Sequence, residues 1–232
     1  MKYEDIITYL EAHADPDAVQ GMAKVAITGQ SVYGVSLPVL RALAKKIGKD
    51  HELALRLWQN NNRETRILAP MIDEPKRLTE KQMESWVLDF DSWEVCDQCC
   101  MNLFEKLPSI QLKAKEWAKQ EEEFVKRTGF VLMARLAVSD KNAGDDLFND
   151  FFPYIKEGTL DERNFVKKAV NWALRQIGKR NLALNKQAIE VAEELSTSSQ
   201  KSARWVAADA LRELKSPAVR DRLIKKAEKS RK

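Results

Sequence analysis

Apolar residues recur along this chain with the period of an amphipathic helix, and no stretch alternates as a half-buried strand does. In 165–177, for example, Val166, Ala169, Val170, Ala173 and Ile177 fall on one helical face. Helix-start signals punctuate the pattern. Asp15 precedes Pro16, and Ser36 precedes a segment with Pro38 in its first turn. Thr79 with Gln82 makes a capping box, and Asp91 with Glu94 reads as a similar one. Ser216 stands before Pro217, and Gly48, Gly158 and Gly178 read as stops. These marks predict about fourteen helices with short connections of the kind that join antiparallel neighbours.

The segments resemble one another. RETRILAPMI (63–72), VKRTGFVLMARLA (125–137), FVKKAVNWALRQI (165–177) and SARWVAADALREL (202–214) each open with basic residues and continue into an Ala-, Val- and Leu-rich run. DSWEVCDQCCMNLF (91–104) belongs to the series but carries acid where the others carry base. Units of this length built from two helices are HEAT-like, and each pair buries its apolar face only by stacking on the next. The expected fold is all-α: a right-handed α-solenoid of HEAT-like antiparallel pairs. It is expected to be a single domain over 1–232 with a basic end that frays over 225–232.

Composition supports the helical reading. With 8 glycines and 7 prolines in 232 residues, the chain lacks the turn residues that an all-β fold uses freely. Charged residues make up 32%, above the usual quarter, as an elongated shape or an interaction role would require. The net charge of +4 is a weak pointer to an anionic partner. The cysteines, Cys96, Cys99 and Cys100, lie in one helical stretch and read as core packing. His13 and His51 have no spaced partners, so neither a metal nor another cofactor is expected. The first residues, MKYEDIITYLEAH, do not read as a signal peptide, and no run of about 20 apolar residues occurs. A cytoplasmic, nucleoid-associated monomer with no membrane contact is expected.

The candidate chemistry lies at the helix starts. Arg63, Arg66, Lys126, Arg127, Lys167, Lys168 and Arg204 fall there. If those helices line the inner face of a solenoid, the bases converge on a positive trough about the width of a duplex. The alternative is a set of solvated first turns. Trp93 and Asp97, four residues apart, share one side of a helix at the edge of the stripe through Cys96, Cys99, Cys100, Leu103 and Leu107. Trp172 projects off the core face of its own helix in the same way. An aromatic so placed is either a stacking surface or a partly buried packing residue. Trp58, Trp86 and Trp117 have only the packing reading.

Taken together, SWEVCD (92–97), KRTGFVL (126–132) and KKAVNWALR (167–175) resemble the DNA alkylation repair family of AlkD type. The likeness runs from YGVSLPVLRALAKKIG (33–48) to the repeat at 202–214. It implies a HEAT-like solenoid that holds duplex DNA and hydrolyses the glycosidic bond of N3-methyladenine and N7-methylguanine. It also implies that Asp97, Trp93 and Trp172 form the catalytic set, with Arg127 on a flanking phosphate. The better-known members carry two adjacent tryptophans before the aspartate, where this chain has Ser92-Trp93. Two other readings stay open: a HEAT-repeat DNA-binding protein without catalysis, and a protein-binding scaffold.

Overall fold

The computed structural model describes residues 1–27 and 31–229, and these hold fifteen α-helices and one short 3-10 turn. They group into two compact units, Met1–Pro108 and Ser109–Lys232. The first contains α1 (Tyr3–Ala12), α2 (Pro16–Lys24), α3 (Leu37–Ile47), α4 (His51–Gln59), α5 (Arg63–Ile72), α6 (Glu80–Leu88) and α7 (Trp93–Asn102). The second contains α8 (Ile110–Trp117), α9 (Glu123–Ser139), α10 (Asp145–Asn149), α11 (Phe152–Gly158), α12 (Asn164–Gly178), α13 (Leu182–Ser196), α14 (Lys201–Leu214) and α15 (Pro217–Lys229).

Several starts form as their residues dictate. The Asp15 carboxylate accepts from the amides of Asp17 and Ala18 ahead of Pro16, and the Thr79 hydroxyl accepts from the Gln82 amide at 3.1 Å. α7 is capped by Ser92 rather than Asp91, its hydroxyl accepting from the Val95 amide at 3.4 Å. Gly48 ends α3 at φ +82°, the left-handed region that glycine enters freely. Gly158 and Gly178, expected as stops, are the last residues of α11 and α12, and they also serve packing. A Cβ on Gly158 would lie 2.3 Å from the Phe130 ring, and one on Gly178 would lie 2.8 Å from Leu214. The basic end is helical through Lys229, and Lys226 Nζ donates to the Arg180 carbonyl at 2.7 Å; residues 230–232 lie outside the described ones.

In the first unit α4 pairs with α5, and in the second α8 pairs with α9, α11 and α13 with α12, and α13 with α14. α5 lies between α3 and α7 in the first unit, and α12 lies between α9 and α14 in the second. The middle helices are therefore enclosed. Every residue of α5 except Met71 is buried, and α9 is buried along most of its length. A helix covered on several sides loses the polar stripe of a surface helix. That explains why 125–137 is so dense in apolar residues. The core face expected for α12, Val166, Ala169, Val170, Ala173 and Ile177, is fully buried.

Side-chain links measure the repeat. In the first unit Trp58 reaches Asp89, Asn62 reaches Ser31 and Arg63 reaches Glu94, each across 31 residues. In the second unit Arg127 reaches Phe165, Lys156 reaches Glu194 and Asn171 reaches Asp209, each across 38.

At the α8–α9 crossing, Gly129 has no room for a side chain. A Cβ there would sit 2.4 Å from the Ala118 nitrogen and 2.7 Å from the Ala114 carbonyl oxygen, both backbone atoms. Gly129→Ala should therefore lower stability by about 1–3 kcal/mol, the usual cost of overpacking. A methyl group on Gly21 in α2 would meet nothing within 4 Å, so Gly21→Ala should be neutral or stabilising. Urea unfolding followed by far-UV circular dichroism compares the two.

Candidate nucleic-acid interface

In the first unit the candidate carboxylate is carried by α7, which is buried from Glu94 to Cys100. Asp97 retains 8% of its exposure, so it is buried rather than poised on the edge of a stripe. Trp93, one turn earlier, is half-buried, and its Nε1 donates to the Val25 carbonyl at 2.9 Å. That bond fixes the orientation of the indole. Cys96, Cys99 and Cys100 have no exposure, and burial pushes the Cys99 and Cys100 thiols well up. All three are packing groups, as their spacing predicts.

Arg63, expected to face DNA, has a different task. It is 4% exposed, and its Nε and Nη2 donate to the two oxygens of Glu94 at 2.7 and 2.9 Å. Its Nη1 donates to Glu64 Oε1 at 2.6 Å and to the Val35 carbonyl at 3.0 Å. The Glu64 carboxylate, fully buried, also accepts from the amides of Tyr33, Gly34 and Val35. Burial opposes charge on Arg63, but its bonds to Glu94 and the fields of Glu94 and Glu64 outweigh that and hold its pKa above the usual value. This guanidinium ties α5 to α7 and to the segment ahead of α3, and four of its five N–H donors are used in doing so.

Arg66 and Arg127 are engaged in the same manner. Arg66, 9% exposed, donates through Nη1 to the Asp89 carbonyl at 2.9 Å and lies 5.4 Å above the Trp58 ring. It borders a cavity of about 750 Å³ lined also by His51, Gln82 and Trp86. Trp58 and Trp86 stack there in parallel, 4.0 Å apart. Arg127, 5% exposed, donates through Nη1 to the Phe165 carbonyl at 2.7 Å, which joins α9 to α12. Lys126 is half-buried, 3.4 Å from Asp161. The expected phosphate contacts of Arg63, Arg66 and Arg127 are therefore replaced by contacts to neighbouring repeats.

The remaining candidates face solvent on α12 and α14 of the second unit. Lys168 is exposed, and Lys167 is half-buried with Nζ 4.9 Å from the centre of the Trp205 ring. Arg204 is exposed and donates to the carbonyls of Ser198 and Ser199, each at 2.7 Å, closing the turn after α13. Trp172 is half-buried, and with the Gln176 amide oxygen turned toward its donors, Trp172 Nε1 donates to it at 2.9 Å.

Two features escape the sequence reading. Trp205 is 42% exposed; the signal is available, because Lys201, Trp205, Ala208 and Arg212 lie at helical spacing on the side of α14 opposite Ala203 and Ala207. His51, which has no partner nearby in sequence, is paired across 22 residues with the buried Asp73, Nδ1 to Oδ1 at 2.6 Å. Gln82 donates to the other oxygen of Asp73 at 2.8 Å. Among the described residues, no group of three His, Cys, Asp or Glu side chains could hold a metal ion, and no helix is long and apolar enough to cross a membrane.

Removing one member of a buried ion pair strands its partners, at a typical cost of about 3–5 kcal/mol. Arg63→Ala should cost that much, because Glu64 and Glu94 would stay buried. Arg56→Ala, which removes an exposed pair with Glu4, should shift the denaturant midpoint far less. Denaturant midpoints of the two variants give the comparison.

The chain is 22% identical over 197 residues to an uncharacterized protein of Listeria innocua, covering 83% of this chain and 86% of that one. It is 24% identical over 132 residues to an uncharacterized protein of Listeria monocytogenes, covering 55% and 59%. A solved structure described as "a new family of proteins related to the HEAT-like repeat DNA glycosylases with affinity for branched DNA structures" superposes with a TM-score of 0.76 at 19% identity. That superposition covers 91% of this chain and 95% of the other, and it shows that the fold is the HEAT-like α-solenoid expected from the repeats. The family model described as DNA alkylation repair enzyme matches residues 6–214, and the chain belongs to that family.

Proposed function

We propose that this protein is a DNA glycosylase of alkylation base excision repair, hydrolysing the N-glycosidic bond of cationic purines such as N3-methyladenine and N7-methylguanine in duplex DNA. The observation that carries the reading is the Asp97 carboxylate, held at 8% exposure on α7 one turn from the half-buried Trp93, in a chain of the DNA alkylation repair family.

The chemistry asks little of an acid. An alkylated purine already carries positive charge, so it departs as a neutral base when the bond from C1′ to the ring nitrogen breaks and the ring takes the bonding electrons. The positive charge passes to the sugar as an oxocarbenium-like ion. Asp97 as carboxylate stabilises that ion. It also accepts a proton from the attacking water as the new C1′–O bond forms. The products are an abasic sugar and the free base. Trp93 offers a π face to the cationic lesion or sugar, a contact typically contributing about 0.5–2 kcal/mol according to desolvation. Trp172 on α12 is assigned the same kind of contact by the resemblance. Lys168 and Lys167 supply phosphate contacts in the second unit, with Arg204 and Lys126 as further candidates. Arg63, Arg66 and Arg127 act indirectly, by holding the repeats in register.

A second reading keeps the DNA contacts and discards excision. Ser92, which stands where better-known members carry a tryptophan, is buried and caps α7. The structural relative described as having affinity for branched DNA points the same way.

Incubation with methylated duplex DNA, read as free base released, separates the two readings. The wild type should release N7-methylguanine. Asp97→Asn should slow release at least tenfold, about 1.4 kcal/mol of barrier, with duplex affinity kept within about twofold. Equal release by wild type and Asp97→Asn would remove Asp97 from the chemistry. No release by the wild type, with DNA bound, would favour the second reading. Lys168→Ala should weaken binding to any duplex and lower the slope of log affinity against log salt by about 0.9, the signature of one lost phosphate contact. Affinity measured across a salt series checks this.

A further inference from the structure

Trp205 is the tryptophan that the fold uses least. Trp58, Trp86 and Trp117 are buried, and Trp93 and Trp172 are half-buried, whereas Trp205 is 42% exposed. α14 packs through Ser202, Ala203, Val206, Ala207, Ala210 and Leu214, and Trp205 lies off that face. A large indole left in water contributes little to the core, so packing does not explain it.

Its surroundings are cationic. The Lys167 ammonium stands 4.9 Å from the ring centre. The 38-residue register that brings Asn171 to Asp209 also sets Lys167 beside Trp205. Lys168 and Lys201 are exposed on the same two helices, and among the described residues Lys167, Lys168 and Lys201 make no ion pair. Some lysines elsewhere in this unit do, Lys115, Lys156, Lys179 and Lys215 among them, whereas Lys141 and Lys226 donate to carbonyls and Lys119 lies over the Tyr154 ring. The acid nearest along this face, Asp209, is occupied by Asn171, Arg175 and Arg212. The result is an aromatic surface with one ammonium group on the ring and two further unneutralised ones on the same two helices. That is the composition of single-strand binding sites, where a base stacks on the ring and cations follow the phosphates.

We propose that Trp205, with Lys167, Lys168 and Lys201, is a stacking platform for an unpaired nucleobase, and gives the protein a preference for DNA with an unpaired segment over intact duplex. Lys167 occupies one side of the ring, and the base stacks on the other. A paired base keeps its faces inside the duplex, so it gains nothing from this ring. The proposal rests on the DNA-binding reading above but not on excision.

Fluorescence anisotropy with the full chain tests it, using an intact duplex, the same duplex interrupted by a short single-stranded gap, and a single strand. The wild type should bind the gapped duplex more tightly than the intact one. Trp205→Ala should lose about fivefold or more on the gapped and single-stranded DNA, the lower end of measured base–aromatic stacking, and keep its affinity for intact duplex within about twofold. Trp205→Phe should retain most of the preference. Because Trp205 is exposed, both variants should unfold at the wild-type temperature. Equal losses on all three DNAs, or none, would overturn the platform. So would a wild type that binds intact duplex without favouring the gap, which leaves the DNA reading in place. A wild type that binds none of the three overturns both, and tight binding to an acidic polypeptide instead would assign the patch to a protein partner.

Discussion

Everything in the first unit hangs on a positive charge that has been removed from water. Arg63 lies between Glu64 and Glu94, and Glu64 in turn gathers three backbone amides ahead of α3. An unpaired guanidinium at 4% exposure would be strongly disfavoured. Two carboxylates and a carbonyl make the position tenable, and in doing so they specify which helix lies beside which. The arrangement also resolves an oddity of the chain. Basic residues at a helix N-terminus oppose the helix dipole, yet they recur in repeat after repeat. They are tolerated because Arg63, Arg66 and Arg127 each donate to the following repeat: a carboxylate in one case, a backbone carbonyl in the others.

This division of labour narrows the surface available to the proposed DNA partner. The arginines at the enclosed ends of α5 and α9 bond to neighbouring repeats, while Lys168 on α12 and Lys201 on α14 stay open to solvent. Lysine suits the second role, as a flexible point charge that need not match a fixed fork of acceptors. Arginine suits the first for the opposite reason. Glu94, three residues before Asp97 on α7, is committed to Arg63.

The fold is legible in the sequence because its signals are local. Asp15, Thr79 and Ser216 cap the helices they precede, and the Val166–Ile177 face is the one that is buried. The site is legible only in part. A basic residue in a first turn looks the same whether it meets solvent or the next repeat, and the partner that decides it lies 31 or 38 residues away. Gly158 and Gly178 pass for simple stops for a related reason: what they make room for, Phe130 and Leu214, is distant in sequence. Trp205 is inconspicuous because the run around it reads as one dense helix, although helical spacing alone places it away from the alanine face.

The clustering of all three thiols on α7 has a practical consequence. Cys96, Cys99 and Cys100 are sealed, burial pushes the Cys99 and Cys100 thiols well up, and a thiol reagent can reach the three only when that helix is uncovered. Their rate of modification under native conditions therefore reports how often this segment opens, as amide exchange does for a backbone. Since Asp97 sits among them, the same clock times the exposure of the residue on which the proposed excision depends.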